Sequence, residues 1–239
     1  MIPKIIHYCW FGHGAKPTFV KKCIASWKKH LPEYEVIEWN EDNFDVSSNS
    51  FCKEAYDSKK YAFVTDYLRL EALYKQGGVY MDTDVEILKP LDRFLHHPAF
   101  SGFENDSFVP TGLMAAGKGN PWIKELLDYY EDKKFDPKNL TTNTKIITET
   151  CLAAGLIPNG TYQELTNGVV FYPRTFFCPF DYANGDNFIT EDTHAIHHFS
   201  KSWLPGHIRL RYKLKMIARK IFGRKIIIYT RKVKRILTR

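Results

Sequence analysis

Short apolar runs alternate with segments of helical spacing along the first part of the chain. Runs of β-branched and aromatic residues predict strands, and apolar residues three or four positions apart predict helices. Alternation of this kind is typical of a sheet whose strands are mostly parallel and are connected by helices. The predicted strands are residues 4–11, 34–39 and 79–81, and the predicted helices are residues 16–30, 51–57 and 62–76.

The pattern loosens after residue 94, where shorter runs predict the remainder of an α/β fold. Thr141 or Thr142 is the expected N-cap of the last predicted helix, and the last two strands are expected in an antiparallel part of the sheet. We predict one domain with a mixed, mostly parallel central sheet over residues 1–205, and a tail over residues 206–239. The strands predicted here are residues 99–104, 112–117, 168–173 and 193–199, and the helices are residues 121–134 and 141–155.

The composition fits one globular domain, because 44% of the 239 residues are apolar and 15% are aromatic. The five cysteines are odd in number and form no CxxC pair, which argues against a disulfide framework or a zinc site. They fit a reducing compartment and are expected as small buried hydrophobic residues. The brief apolar opening predicts a strand, so no secretory signal is expected, and the apolar runs are too short for a membrane-spanning helix.

The net charge of +7 is unevenly distributed. Residues 201–239 contain 14 Lys and Arg and no Asp or Glu, which leaves 20 basic against 27 acidic residues in the preceding 200. The tail combines its cations with apolar residues at near-helical spacing. This combination favours an amphipathic helix on an anionic membrane, with nucleic-acid binding as the competing use of the charge.

Two aspartates, Asp82 and Asp84, follow the strand predicted at residues 79–81. If the backbone stays extended, alternate residues share a face, so the two carboxylates project together and Thr83 projects away. Two adjacent carboxylates repel unless a cation lies between them, and hard oxygen ligands suit Mg²⁺ or Mn²⁺. A solvated turn is the alternative for an isolated DxD.

The residues around these aspartates resemble a known family. Thr65 and Asp66, then Arg69 and LYKQGGVYMDTD, resemble the signature of the sugar-binding, DxD-containing glycosyltransferases of glycan and capsule assembly, to which the clostridial glucosylating toxins are more distantly related. The segments IPKIIHYCWFG and AIHHFSKSW resemble the first strand and the closing motif of that family. Ser26, Trp27, Tyr34, Glu35 and Trp39 resemble its second block. The resemblance covers residues 2–204 and implies a GT-A-type, Rossmann-like nucleotide-sugar-binding domain.

The resemblance also implies a role for each matching residue. Asp66 and Arg69 are implied to hold the hydroxyls of the donor sugar, and a spacing of three places both on one helix face. Asp82 and Asp84 are implied to bind Mn²⁺ or Mg²⁺, and these four side chains are the implied catalytic residues. For Asp66 and Arg69 the alternative is a surface ion pair within the helix.

Further implied residues lie at both ends of the domain. His197 is the implied third metal ligand, and His198 is the alternative because a shift of one residue in the strand exchanges their faces. Trp10 is implied to stack on the nucleotide base, and Ser202 and Trp203 to contact the diphosphate. The complete set of implied donor-binding residues is Trp10, Asp66, Arg69, Tyr80, Asp82, Ser202 and Trp203.

The resemblance therefore implies a metal-dependent glycosyltransferase that retains anomeric configuration and uses a UDP-hexose or GDP-mannose donor. The expected acceptor is a glycan or lipid-linked glycan of capsular or surface polysaccharide synthesis, at the inner face of the cell membrane. A toxin-like protein glycosyltransferase and a basic nucleic-acid-binding protein are the alternatives, and no nucleic-acid partner is expected. Weak candidates for acceptor contacts are Glu104, Asn105, Thr142 and Asn143.

Overall fold

The fold was analysed in a computed structural model that describes residues 1–109, 112–182 and 184–200 and the separate positions 210, 211, 214 and 217. A central sheet of seven strands has the order β2-β1-β3-β6-β5-β8-β7. Five of these strands point the same way, because β1 is parallel to β2 and β3, β5 is parallel to β8, and β6 runs antiparallel to both β3 and β5. The seven strands are β1 Ile5–Cys9, β2 Glu35–Trp39, β3 Gly78–Met81, β5 Ala99–Gly102, β6 Leu113–Ala116, β7 Gln163–Glu164 and β8 Val169–Tyr172.

The prediction of a mixed, mostly parallel sheet is confirmed, and the antiparallel placement predicted for the strand at residues 168–173 is correct on one side of the strand only. This strand, β8, pairs in parallel with β5 as well as antiparallel with β7. Among the described strands, two antiparallel pairs lie outside the central sheet. They are formed by β4 Val85–Ile87 with β11 Ala195–His197, and by β9 Phe180–Asp181 with β10 Asp186–Asn187.

Within the described part of residues 1–200, six α-helices connect the strands. Thr142 caps the fifth helix by accepting a hydrogen bond from the Lys145 N–H, as the sequence predicted. The fourth helix ends at Asp128 and not at residue 134, because the chain tightens into i→i+3 hydrogen bonds that turn Tyr130 into the core. The helices are α1 Thr18–His30, α2 Ser50–Asp57, α3 Tyr61–Gln76, α4 Pro121–Asp128, α5 Asn143–Ala153 and α6 Arg174–Phe177.

Two hydrophobic cores cover the two faces of the central sheet. Alternate residues of β3 divide between them, with Tyr80 in one core and Val79 and Met81 in the other. All five cysteines are buried and unpaired, as predicted. Among the described residues, no helix is both long enough and apolar enough to cross a membrane.

The turn between α3 and β3 is held against β1 by His7. Gly77 and Gly78 both have positive φ, and a Cβ added at Gly78 would lie 2.6 Å from the Ile5 carbonyl oxygen. His7 is fully buried, its Nε2 lies 2.8 Å from the Gly77 carbonyl oxygen, and its Nδ1 accepts a hydrogen bond from the Trp39 indole. The neutral imidazole satisfies both contacts, since Nε2–H donates and Nδ1 accepts.

This arrangement predicts that His7 makes an acid-sensitive contribution to stability. Burial lowers the pKa of His7 below its ordinary value of 6.5. At this residue the unfolded chain therefore binds a proton before the folded protein does, so the contribution of His7 to the free energy of unfolding falls as the pH decreases below 6.5, by at most about 1.4 kcal/mol per pH unit. Urea unfolding between pH 7.5 and 5 measures this slope. Asp66 and His197 have raised pKa values and act in the opposite direction, so the contribution of His7 is the difference between the slopes of wild type and His7→Gln. His96→Gln, at an exposed histidine, should keep the wild-type slope. An unchanged slope in His7→Gln would contradict the prediction.

Candidate active site

The two aspartates lie in a tight turn, and the extended backbone predicted for them is wrong. β3 ends at Met81, and the Val85 N–H donates to the Asp82 carbonyl oxygen at 3.0 Å, which closes a four-residue turn before β4. The turn forms because β4 leaves the central sheet to pair with β11. It still brings the two carboxylates together, since oxygens of Asp82 and Asp84 and a ring nitrogen of His197 lie within 4.8 Å of one another.

His197, and not His198, faces the aspartates. His197 pairs with Val85 at the end of β11, and its Nε2 lies 3.3 Å from Asp84 Oδ1 and 3.9 Å from Asp82 Oδ2. The next residue points away, with His198 Nε2 2.9 Å from Glu86 Oε2. The pairing register of β4 and β11 therefore decides which histidine meets the carboxylates.

Asp84 is the most enclosed member of this cluster. Its side chain is held by the His197 ring and by the Ser200 N–H, which donates to Asp84 Oδ2 at 2.7 Å. Burial opposes ionisation of Asp84, yet the charge and hydrogen bonds of His197 and Ser200 hold the pKa of this carboxyl well below its usual range. Burial likewise opposes protonation of His197, and the Asp84 carboxylate nevertheless raises the His197 pKa well above 6.5. In the metal-free protein the two form an ion pair.

Phe199 gives the chain the direction that this arrangement needs. Its φ of 50° lies in the left-handed region, which costs a bulky residue about 1–3 kcal/mol. The ring of Phe199 lies 4.0 Å from the His197 ring and 4.5 Å from the Tyr182 ring, measured between centroids. The left-handed residue turns the backbone so that the next N–H, that of Ser200, points back at Asp84.

A second group of polar side chains borders the aspartates. Arg69 is 4% exposed, and its Nη2 lies 3.1 Å from Asp66 Oδ1 and 3.3 Å from Asp82 Oδ1. The Tyr80 hydroxyl donates to Asp82 Oδ1 at 3.0 Å, and the guanidinium lies 4.5 Å from the centre of the Tyr80 ring. The pair predicted on α3 is therefore a buried bridge to the DxD turn and not a surface ion pair.

Asp66 is the group in this bridge that burial affects most. Burial raises the pKa of Asp66 to about 7, with the Arg69 charge acting against the rise and the Asp82 charge adding to it. Asn143, at the start of α5, donates from Nδ2 to Asp66 Oδ1 at 3.2 Å. The sequence suggested Asn143 as a weak acceptor contact and gave no sign of this bond. The cap at Thr142 indicates where α5 begins, but it does not indicate what faces the first turn.

For the described residues, the structure gives no contact between the remaining predicted donor-binding residues and the carboxylate and histidine cluster. Trp10 follows β1, is half-buried, and donates from its indole N–H to the Gly14 carbonyl oxygen at 2.6 Å. Lys16 Nζ lies 5.6 Å from the centre of its ring. Base stacking by Trp10 stays a prediction. Ser202 and Trp203, and the tail over residues 206–239 apart from isolated positions, lie outside the described residues.

Two residues of α1 hold the strand that follows the DxD turn. The Trp27 indole donates to the Val85 carbonyl oxygen at 2.8 Å, and the Ser26 hydroxyl oxygen accepts from the Ile87 N–H at 2.9 Å. Trp27 is fully buried, so this contact is fixed in the core. The Ser-Trp pair that the sequence placed in a family block thus anchors β4, and through it the position of Asp84.

Gly112 is a further residue of the site that the sequence did not single out. Its carbonyl oxygen accepts from the Asp82 N–H at 2.8 Å, and a Cβ added there would lie 2.8 Å from His197 Nδ1. No real Cβ approaches another atom so closely, so any side chain displaces the imidazole. The nearest sequence signal is the glycine immediately before β6.

We therefore expect Gly112→Ala to weaken metal binding with little change in fold. The added methyl pushes the His197 ring from its place beside Asp84, and we expect Mn²⁺ affinity to fall by about 10- to 100-fold, the usual effect of misplacing groups that orient metal ligands. Isothermal titration with Mn²⁺ measures this. Gly14→Ala is the matched control for the added methyl, since a Cβ there meets nothing within 4 Å and Gly14 does not have a positive φ. Equal affinities in both variants would contradict the prediction.

The donor atoms of the cluster fit a divalent cation. Ligand atoms on adjacent corners of an octahedron with bonds of about 2.1 Å lie about 3 Å apart. The imidazole nitrogen is 3.3 Å and 3.9 Å from the two carboxylate oxygens, slightly wider than this spacing. Two carboxylates suit Mg²⁺ or Mn²⁺. The residues Asp82, Asp84 and His197 are the one such group of three potential ligands among the described residues.

Comparisons with known proteins show what this chain is similar to. Residues 17–101 match the model of the family described as the glycosyltransferase sugar-binding region containing the DXD motif. Inositol phosphoceramide mannosyltransferase 3 of Schizosaccharomyces pombe is 32% identical over 133 residues, which cover 53% of this chain and 36% of the relative. The uncharacterized glycosyltransferase L373 of Acanthamoeba polyphaga mimivirus is 27% identical over 218 residues, covering 88% and 86% of the two chains.

A solved structure supports the fold. A glycosyltransferase involved in glycosylation of the major capsid of PBCV-1 superposes with a TM-score of 0.51 at 10% identity, covering 90% of this chain and 99% of that one.

The chain spans only about a third of the length of the yeast mannosyltransferase that it matches. The matched range includes Asp66, Arg69 and both aspartates of the turn. The family resemblance predicted from the sequence is confirmed over residues 17–101, which match the model of the glycosyltransferase sugar-binding region containing the DXD motif.

Proposed function

We propose that the protein is a metal-dependent, retaining hexosyltransferase that moves a sugar from a nucleotide diphosphate to a hydroxyl group of an acceptor. The proposal rests on two groups of polar side chains that lie next to each other beyond the end of β3. Asp82, Asp84 and His197 form a cation-binding set, and Arg69 joins that set to Asp66 through a buried ion pair. A bound metal ion suits a charged diphosphate, and the neighbouring polar side chains suit the hydroxyl groups of an uncharged sugar.

The residues divide the task between the two halves of the donor. A bound Mn²⁺ or Mg²⁺ supplies positive charge to the diphosphate as its bond to the sugar breaks. Asp66 accepts from sugar hydroxyls, and Arg69 donates to them while it fixes the orientation of Asp66. The Ser200 N–H holds Asp84 in place, so the carboxylate need not reorganise during the reaction.

GDP-mannose is the first donor to test, followed by UDP-hexoses, because the relative from S. pombe is named as a mannosyltransferase. The same name makes an inositol-containing lipid headgroup an acceptor to include beside the glycan acceptors of capsular or surface polysaccharide synthesis. The excess of cations over anions in residues 201–239 supports a peripheral association with the inner face of the cell membrane.

Hydrolysis of nucleotide sugars tests the proposal without knowledge of the acceptor. We expect one donor of a panel to release its nucleotide diphosphate in the presence of Mn²⁺ or Mg²⁺, and chelation by EDTA to slow the release by at least about 100-fold, since the metal stabilises charge in the transition state. The anomeric configuration of the first-formed product, followed by NMR, tests retention. Turnover that continues unchanged in EDTA would contradict metal dependence, and an inverted product would contradict the retaining mechanism.

A further inference from the structure

A second cavity lies close to the carboxylate and histidine cluster. It has a volume of about 220 Å³ and is bordered by the loop after β5, the start of α6 and the β9–β10 hairpin. Pockets for drug-sized ligands typically measure about 300–1,000 Å³, so this one suits a single sugar ring better than a nucleotide. We name it the hairpin cavity, and the polar side chains that line it are Glu104, Asn105, Arg174, Asp181, Tyr182 and Asn184.

The hairpin cavity is connected to the metal ligands through stacked rings. The Tyr182 ring lies 4.5 Å from Phe199, and Phe199 lies 4.0 Å from His197, measured between ring centroids. His197 in turn lies against Asp82 and Asp84. A ligand in the cavity is therefore two aromatic rings away from the cation-binding set.

The charge of the lining favours a neutral ligand. Glu104 and Asp181 contribute two carboxylates and Arg174 contributes one cation, so a phosphate would meet more negative than positive charge. Sugar hydroxyls match the lining better, because they donate to carboxylates and accept from amide and guanidinium N–H groups. Tyr182 adds an aromatic ring, whose face suits the C–H side of a sugar.

The polar groups of the cavity are held before any ligand binds. Asn184 donates from its backbone N–H and from Nδ2 to the two oxygens of Asp181, at 3.0 and 2.9 Å. Asn105 Oδ1 accepts from the N–H groups of Ser107 and Phe108, at 2.8 and 3.1 Å. Groups fixed in this way lose little freedom when a ligand binds, which favours affinity.

Arg174 provides independent support for ligand binding in the hairpin cavity. Its guanidinium carbon lies 4.5 Å from the centre of the Phe188 ring, which fixes the side chain. Its Nε is buried and has no hydrogen-bond partner in the part of the chain that the structure describes. Buried N–H donors are nearly always paired, so an acceptor oxygen from a bound molecule is the expected partner.

We propose that the hairpin cavity is the acceptor site and that it binds one neutral sugar ring, an inference that rests on the glycosyltransferase function proposed above. The acceptor hydroxyl oxygen forms a bond to the anomeric carbon of the donor sugar. The bond from that carbon to the diphosphate breaks, and its electron pair leaves with the diphosphate. The hydroxyl proton passes to the departing diphosphate.

Direct binding tests the site independently of turnover. Saturation-transfer NMR with a panel of neutral methyl hexosides is expected to show binding of at least one of them to the full chain. We expect Glu104→Gln and Arg174→Met each to weaken it by about 10-fold or more, the usual effect of removing a hydrogen bond to a charged group. Glu164→Gln, at an exposed glutamate, is the matched control. Thermal melts establish that each variant folds, and Asp181→Asn replaces any variant that does not.

Transfer kinetics separate this inference from the proposed function. With the active nucleotide sugar, we expect the preferred methyl hexoside to become glycosylated and Glu104→Gln to shift the products from transfer towards hydrolysis. Intact donor hydrolysis without binding or transfer to any neutral hexoside would overturn the acceptor site alone. Preference for an anionic glycoside, or equal acceptor KM values in wild type and all cavity variants, would overturn it as well. Loss of donor hydrolysis for every nucleotide sugar would instead refute the proposed function.

Discussion

Replacing Asp84 by asparagine is expected to lower metal-dependent donor turnover by about 10²–10³-fold, the scale of losing one preorganised electrostatic group at a reacting diphosphate. The substitution keeps the size of the side chain and removes the charge that pairs with His197. Without that charge the proposed cation site would lose a ligand, and the imidazole loses the partner that raises its pKa. The rate of nucleotide diphosphate release and the Mn²⁺ dissociation constant, measured on the same preparation, test both effects.

Glu86→Gln is the matched control for Asp84→Asn. Glu86 lies two residues further along the same segment and pairs with His198 at 2.9 Å, on the face that points away from the cluster. It therefore reproduces the loss of a carboxylate beside a histidine without touching the proposed ligands. We expect its turnover to remain within about twofold of wild type, as for surface changes away from the site. Equal losses in the two variants would show that the cluster is structural.

The sequence predicted the helices and strands well where the hydrophobic period was long and strong. The helix predicted at residues 62–76 is α3 Tyr61–Gln76, and that predicted at residues 16–30 is α1 Thr18–His30. The helix predicted at residues 121–134 ended early because Tyr130 turns into the core, a tertiary effect that the period does not contain. The parallel pairing of β8 depends on strand order, which local patterns also do not specify.

The site was predictable in its residue types and less so in its geometry. Resemblance singled out Asp82, Asp84 and His197, and the fold brings them together across more than a hundred residues of chain. The turn between the aspartates depends on β4 pairing with β11, so an expectation of extended backbone could not anticipate it. Gly112 leaves room for the His197 ring, and Phe199 sets the direction of the backbone through its positive φ. Neither effect can be recognised in the sequence until the neighbouring residues in the fold are known.

The buried bridge also changes what the resemblance alone would suggest for Arg69. A residue that only contacts the donor could be removed at little cost to folding, but this guanidinium lies between Asp66 and Asp82 and is 4% exposed. It therefore contributes both to stability and to the proposed binding of donor. The two contributions can be separated. Removing the negative charge of Asp66 should restore stability in a variant that lacks Arg69, without restoring the binding of the donor.

Arg69→Met is expected to lower the free energy of unfolding by about 3–5 kcal/mol, because it leaves buried negative charge without its cation. The loss of the Arg69 charge affects Asp66 most among the carboxyls, since burial already raises the pKa of Asp66 to about 7. A carboxyl whose pKa is higher in the folded than in the unfolded state makes the protein less stable as the pH rises through that interval. We therefore expect the variant to be more destabilised at pH 8 than at pH 5, as measured by urea unfolding.

The double variant Arg69→Met with Asp66→Asn supplies the decisive comparison. Neutralising Asp66 removes one of the two charges that Arg69 compensates, so the double variant should regain about 1–3 kcal/mol relative to Arg69→Met, as coupled neighbours do. Its donor turnover should stay low, because both proposed sugar contacts are gone. Lys75→Met, which breaks an exposed helix pair with Glu71, is the control and should cost less than about 1 kcal/mol. Losses for Asp66→Asn and Arg69→Met that simply add would mean that the bridge between them carries no energy.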